Sequence, residues 1–597
     1  MKDHKYNLGV IGNCSYLAYI DTNASVRWLC WPRFDSSFVF GSLLDQKKGG
    51  EFSITPDGKF TSRQYYIENT NVLCTEFESE HGKFRVIDCA PRFQQYERTF
   101  RPSMLVRKVE ILEGSPVVKV ICRPTLEYGQ KVPKSIAGSN HVVFEDFDMP
   151  LRLTTDVSLS YIEGEQSFAL NRNYYLVLTY GEALEAPLKP TAEDFINKTV
   201  RYWQGWIKST YVPDIYQLQV IRSALVLKLH QYEDTGGIIA SGTTSLPEHN
   251  GSTRTWDYRY CWFRDSYYTL KAFNEMGHFD ELEKYFEFIQ NVLMRNQGRV
   301  QPLYTINGMA PPPEVHLPLD GYLNNQPVRI GNMAFDQIQN DVYGQVLVGL
   351  LPLFTDRRLA YSGNNLHRPL ILRLLSWIER TMEEPDAGLW EFRNVTQLHS
   401  YTLLFHWAGC QAAIKLGKVT MDNEMVEMAT KLATIASRHV ESCFSVETGA
   451  YAQSPAGTHL DASTLKLITM NYLDPNSEKA RGHLNALESS LRTDHGLFYR
   501  YRHEDGFGKP EATFLVCTFW YIDALACVGR IDDALKTLEN VLSFSNHLGI
   551  FSEDVGVDGS QWGNYPQTYS HVGLINAVFR IAKKIDLPNY SILRKPS

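Results

Sequence analysis

TAEDFINKTVRYWQGWI, residues 191–207, is the stretch on which the fold turns. Its apolar residues recur every three or four positions, the period of a helix with one buried face. Upstream, short runs rich in β-branched and aromatic residues are broken by turn signals: SVRWLCW (25–31), NVLCTEFES (71–79), KFRVIDCAP (83–91), SMLVRKVEIL (103–112), SPVVKVICRPTL (115–126) and YYLVLTY (174–180). Strands at such short spacing predict an antiparallel β-sandwich. Downstream, helical periodicity predicts stretches near 213–232, 262–277, 279–297, 335–353, 365–384, 399–416, 421–441, 461–472, 476–492, 512–528, 530–545 and 566–585. The connections between them alternate. Compact turns such as 276–281, 416–422, 473–478 and 528–533, with 354–364 the least compact, separate longer segments at 234–261, 298–334, 385–398, 442–460, 493–511 and 546–565. Up-and-down helices joined in this way carry every long loop at one end. Six such pairs closed on themselves make an (α/α)6 barrel. The alternative, an open helical array, lacks the fixed-period sequence repeat it would need. The expected organisation is α+β and multidomain: an N-terminal antiparallel β-sandwich over 1–190, a helical linker over 191–212 and an (α/α)6 barrel over 213–597.

A chain of 597 residues exceeds the length at which one core stops growing. Its formal charge of −8 is small for this size and forms no basic stripe, which disfavours nucleic acid and anionic membrane as partners. The start MKDHKYNLGVIGNC has no apolar core of a signal peptide, and no later run is long and apolar enough for a bilayer, so the expected location is cytoplasmic. Ten scattered cysteines show neither CxxC pairing nor metal spacing and read as buried thiols. HExxH, GxSxG and GxxxxGK[ST] are absent, so metal, serine-hydrolase and P-loop chemistry lack their parts.

The long-loop face holds the candidates. In PDAGLWEFRN (385–394) Glu391 stands between Trp390 and Phe392. A carboxyl packed between two rings loses hydration, which favours its protonated form. Glu553, followed by its competitor Asp554, sits on the last long loop and shares the rim with Glu391. Two carboxyls at one pocket are the equipment of glycoside hydrolysis. The loop TRTWDYRYCWFRDS (253–266) carries Asp257, Arg259, Arg264 and Asp265 among aromatics. Each Arg–Asp pair there reads equally as a structural ion pair or as sugar-hydroxyl recognition beside Trp256, Tyr258 or Trp262.

These segments resemble glycoside hydrolase family 15, the glucoamylase-like inverting exo-glucosidases, in its bacterial form. The likeness runs through IGNCSYLAYIDTNASVRWLCWPRFDSSFVFGSLLD (11–45), LVRKVEILEG (105–114), TTSLPE (243–248), TWDYRYCWFRDS (255–266), VRIGN (328–332), DVYG (341–344), PDAGLWEFR (385–393), LDAS (460–463), LFYRYR (497–502), TFWYIDALACVGRIDDA (518–534) and GNYPQTYSHVGLINA (563–577). It implies a β-sandwich on a catalytic (α/α)6 barrel, with Glu391 as general acid and Glu553 as general base. It also implies that Trp262, Arg264 and Asp265 hold the terminal glucose, with Tyr258 near the reacting bond and Trp390 a sugar-contacting aromatic. No metal or cofactor is expected. Where fungal members have a second Glu after the acid, this chain has Phe392. Arg329 and Glu511 are candidates for the second sugar's site, with Tyr304, His316, Gln453 and His459 beside them.

The leading expectation is an inverting exo-acting α-glucosidase of glucoamylase type that releases β-glucose from non-reducing ends of short α-glucosides. An α,α-trehalase of the same family is the alternative, and a non-catalytic carbohydrate-binding regulatory protein a second one. The expected partner is a small saccharide, and a homo-oligomer is compatible with the sequence.

Overall fold

The computed structural model describes residues 4–296, 298–359 and 367–593. Its first part is a sandwich of two antiparallel sheets. One has the order Leu8–Gly12, Leu17–Asp21, Ser25–Cys30, Glu51–Pro56, Val117–Arg123, Phe168–Ala169, with Phe38–Phe40 paired to Ser25–Cys30. The other runs Ser135–Ala137, His141–Phe144, Leu151–Thr155, Tyr174–Tyr180, Met104–Gly114, Gly82–Cys89, Leu73–Ser79, Phe60–Tyr66. The first three strands of the first sheet are buried on both faces. Ile11, Ala18, Ile20, Val26 and Leu29 meet the second sheet. Leu8, Val10, Leu17, Tyr19, Trp28 and Cys30 join the core of the helical part. Strands covered on both sides read as continuous apolar runs, which is why they do not alternate.

The opening stretch lies in the helix Leu188–Lys208, whose buried residues Ala192, Ile196, Thr199, Trp203 and Ile207 form one stripe. Ala192 and Ile196 cover the outer face of the second sheet against Val72, Ile87 and Val177. Trp203 and Ile207 enter the helical core. A single amphipathic stripe thus touches both parts of the molecule.

The helical part is a closed double ring. Phe263–Met276, Asp341–Thr355, Ser400–Thr420, the turn Ala462–Leu465 with Lys466–Thr469, Leu515–Cys527 and Thr568–Leu593 each pack on the next, and the last packs on the first. Around them stand Gln217–Leu229, Phe279–Arg295, Arg368–Thr381, Asn423–Glu441, Glu478–Leu491 and Ile531–Leu542. Position is written in composition. Every residue of the inner LVCTFWYIDALAC is buried, whereas the outer Ile531–Leu542 buries only Ala534, Thr537, Leu538 and Val541. The segment expected as a helix over 461–472 contributes a 3-10 turn and one short α turn, and its chain leaves at Asn471 in a left-handed conformation (φ 59°). Of the turn expected at 354–364, residues 360–364 lie outside the described residues. All long loops enter the N-terminal ends of inner helices, so one end of the barrel is built from loops.

Beneath the junction of sandwich and barrel lies a buried ionic cluster. Lys228 pairs with Glu281 at 3.2 Å, and Arg92 from the sandwich donates to Glu233 at 2.7 Å. Trp206 from the linking helix donates to Glu281 at 2.8 Å. Burial pushes both carboxyls up, but Arg92, Lys228 and Lys284 outweigh it at Glu233, and Lys228 with His278 outweighs it at Glu281; each is held at about 2. Their folded values lie below the unfolded reference of 4.5. The stability they contribute is therefore complete above that reference and is lost as pH falls through the folded values. Lys228→Met leaves Glu281 buried without its cation and is expected to cost about 3 kcal/mol. Urea unfolding at pH 7 and pH 4 measures both effects. An unchanged midpoint in the variant would show that the cluster contributes nothing.

Candidate active site

A cavity opens at the loop-built end of the barrel. Its walls include Glu248, Arg254, Trp256, Tyr258, Trp262, Arg264, Asp265, Trp390, Glu391, Phe392, Arg393, Arg500, Phe507 and Tyr569.

The two Arg–Asp pairs of the 253–266 loop have different fates. Arg259 and Asp257 form a fully buried bidentate pair, with Nε–Oδ1 at 2.9 Å and Nη2–Oδ2 at 2.7 Å. Arg259 also donates to the Ser36 carbonyl of the sandwich at 2.9 Å, and Gly331 N–H to Asp257 at 3.2 Å. That pair is a strut between three segments. Arg264 and Asp265, at the start of the inner helix Phe263–Met276, face the cavity instead. Asp265 Oδ1 is buried and accepts no hydrogen bond among the described residues. Burial first, then Glu391 and Asp341, push its carboxyl up to about 7 against the pull of Arg264. An orphan acceptor at a cavity wall suits a ligand hydroxyl.

Glu391 is presented by a strained turn. Asp386 accepts the N–H groups of Gly388 (3.1 Å) and Asn340 (2.9 Å) and the Thr402 hydroxyl (2.9 Å), pinning the turn to two inner helices. Gly388 has φ 68°, and a Cβ there would meet the His399 ring at 2.5 Å. Glu391 itself takes φ 60°, a left-handed conformation costing about 1 kcal/mol for a residue with a side chain. Here the sequence-based picture of a carboxyl between two rings is corrected. Trp390 turns its indole to Asp461 (2.7 Å), and Phe392 stacks on His399 (5.7 Å between centroids). The left-handed backbone sends the carboxyl elsewhere, to Trp262 Nε1 at 2.7 Å and Arg264 Nη2 at 3.1 Å, both donating to Oε1.

Glu553 is 2 % exposed and, unlike Glu391, does not line the cavity; it is hydrogen-bonded to Tyr258, which does, and adjoins the hairpin made by Asp554–Val555 and Gln561–Trp562. Its Oε2 accepts the Asn564 N–H at 3.1 Å. Gly563 (φ 73°) is required because a Cβ would lie 2.6 Å from Glu553 Cβ. Burial, then the charge of Glu248, push Glu553 up; burial, then Glu553, push Asp554 well up. Burial together with Glu553 and Glu391 also raises the Tyr258 phenol, which stays a neutral donor.

The second-sugar candidates do not reach the cavity. Arg329 donates to the Thr253 (2.9 Å) and Thr255 (3.0 Å) carbonyls and stacks on Trp256, supporting that ring from outside. Glu511 is a solvated side chain, 73 % exposed, near His249. Tyr304 packs in the core, His316 lies on an exposed strand, and His459 lines a different surface depression. Gln453 is buried and orients Asp461 at 2.9 Å. Glu248, Arg254, Arg500 and Asp505, none of them singled out in the sequence, line the cavity instead. Arg500 donates to both oxygens of Glu248 (3.3 and 2.9 Å), and Arg254 pairs with Asp505. Glu248 and Arg500 lie inside the quoted blocks TTSLPE and LFYRYR. The alternation of arginine with aromatic residues in the second was the available signal.

Two acidic residues from separate loops thus stand at or beside one aromatic-walled cavity, Glu391 held by an indole and a guanidinium and Glu553 buried next to the Tyr258 phenol. Residues 214–579 match the model of glycosyl hydrolases family 15, and 6–161 match that of the trehalase-like N-terminal domain. The chain belongs to glycoside hydrolase family 15. It is 32 % identical to a trehalase of Thermoplasma volcanium, covering 97 % of this chain and 93 % of the relative. To a trehalase of Thermoplasma acidophilum it is 30 % identical over 94 % and 97 %. A bacterial glucoamylase solved with acarbose shares the fold with a TM-score of 0.70 at 15 % identity, over 100 % and 97 % of the two chains.

Proposed function

We propose that the protein is an inverting α,α-trehalase, the alternative rather than the leading expectation from the sequence. What favours trehalose is that relatives bearing that name align over nearly the whole chain at about twice the identity of the glucoamylase with the similar fold. The observation that carries the mechanism is the double donation to Glu391 Oε1. Trp262 and Arg264 saturate one oxygen, which leaves Oε2 to carry a proton towards the glycosidic oxygen. As that bond breaks, Glu553 takes a proton from a water on the opposite face, and the water oxygen bonds to C1. The two carboxyls are expected to lie roughly 6.5–9.5 Å apart, leaving room for that water. Of the adjacent buried acids only one ionises readily. Asp554, whose Oδ2 receives no donor, is the harder of the two to ionise, while Glu553, itself pushed up by burial and Glu248, is drawn back towards the anion by the Asn564 N–H and Arg500. Asp265 and Arg264 hold the hydroxyls of the glucose undergoing attack.

Inversion has a distinctive signature on trehalose. Attack at one C1 yields β-glucose, while the leaving sugar keeps its own C1–O bond and departs as α-glucose. Proton NMR in the first turnovers is expected to show the two anomers in equal amounts. Only α-glucose at early times would indicate retention. A panel of trehalose, maltose, isomaltose, kojibiose, nigerose and maltotriose ranks substrates, and preference for maltose would return the assignment to an α-glucosidase of glucoamylase type.

A further inference from the structure

The inner end of the cavity is fully buried, with Trp262, Asp265 and Tyr569 all under 9 % exposed, whereas Phe507 at the outer end is 37 % exposed. Between these ends, two residues after Glu391 in the same turn, stands Arg393. Its guanidinium lies 4.3 Å from the Trp256 ring centroid and 5.7 Å from that of Phe507. Both terminal nitrogens donate to Glu314, at 3.3 and 3.0 Å. Glu314 also takes the Met333 N–H at 3.2 Å and pairs with Arg329 at 3.3 Å. Four long loops, those of Trp256, Glu314, Arg393 and Phe507, therefore meet at one guanidinium. Among the described residues Arg393 Nε donates to no protein acceptor, although the side chain is 21 % exposed.

We infer that Arg393, clamped between Trp256 and Phe507 and tethered to Glu314, binds the leaving sugar and sets the preference for a two-ring substrate. The inference rests on the glycosidase reading above. A general acid protonates the leaving oxygen, and Arg393, two residues on, lines the same cavity as Glu391 beside the more exposed Phe507. A planar cation flanked by two rings offers an apolar slot for the C–H face of a pyranose, and its free N–H a donor for a hydroxyl. The tether closes the mouth beyond that ring, so a third sugar meets the Arg393–Glu314 bridge. Phe392, between Glu391 and Arg393, stacks on His399 and cannot supply a hydrogen bond. Arg393 supplies it from the next position.

The test compares trehalose with α-glucosyl fluoride, which uses the inner subsite but has no leaving sugar. Arg393→Ala is expected to lower the trehalose-to-fluoride ratio of kcat/KM by about 30-fold, chiefly through KM for trehalose. Arg393→Lys should recover little, because an ammonium neither stacks as a plane nor forks to Glu314. Glu314→Gln should shift the ratio in the same direction by a smaller factor and raise maltotriose turnover relative to trehalose. Thermal midpoints within a few degrees of the parent establish that the variants are folded. An unchanged ratio in folded Arg393→Ala, or equal losses on both substrates, overturns the proposal. If the parent protein turns over maltose and not trehalose, the trehalase reading fails, and the ratio taken with maltose still decides the role of Arg393.

Discussion

Glu391→Gln is expected to lower kcat/KM for trehalose by at least about 10³-fold while trehalose still binds. The amide fills the same space and can still accept from Trp262 and Arg264 through its oxygen, so the turn at φ 60° and the neighbouring walls keep their places. What is lost is the transferable proton. Fluoride departs without protonation, so turnover of α-glucosyl fluoride should fall by about tenfold or less in the same variant. Equal losses on the two substrates, or an active variant on trehalose, would remove Glu391 from the role of acid. Titration calorimetry with trehalose separates lost chemistry from lost binding.

Glu553→Ala is expected to lose about 10³-fold on both substrates, because water must be activated whichever group leaves. The vacated volume lies behind Tyr258, and a small anion can enter it. Azide is expected to restore turnover: its nitrogen bonds to C1 as the C1–O bond breaks, Glu391 protonates the departing oxygen, and β-glucosyl azide forms. Mass spectrometry and NMR identify the product and its anomer. An α-azide would mean a double displacement. An active Glu553→Ala together with a dead Asp554→Ala would move the base to the neighbour, which burial and the adjacent charge of Glu553 push well up.

The helical character of the second part, the alternation of loop lengths and the gathering of the long loops at one end were legible because each rests on local periodicity and chain geometry. The burial of the first three strands on both faces went unread, although uninterrupted apolar runs such as LGVIG signal it. The short inner segment near 462–469 was not, since a 3-10 turn capped by Asp461 carries the same apolar spacing as a longer helix. At the site, Glu391 and the Trp262–Arg264–Asp265 block were found in sequence, but the surroundings of Glu391 were misjudged. Neighbours in a chain are neighbours in space only where the backbone is regular, and one left-handed residue turned the carboxyl from Trp390 and Phe392 to partners about 130 residues away. Arg329 and Arg393 show the converse. Both are loop arginines that stack on Trp256, and only the tertiary structure shows that Arg393 lines the cavity while Arg329 does not.

The Arg259 strut joins the substrate loop to the Ser36 carbonyl, and the apolar face of the first sheet completes the barrel's core. The sandwich is thus a supporting partner of the barrel and no detachable accessory. A gene cut to the helical half would make a protein whose 253–266 loop has lost its anchor and whose sandwich-facing apolar surface has lost its cover. For anyone exchanging modules among such enzymes, the unit of inheritance is the pair, and the seam to respect runs through Ser36, Asp257 and Arg259 rather than through the linker.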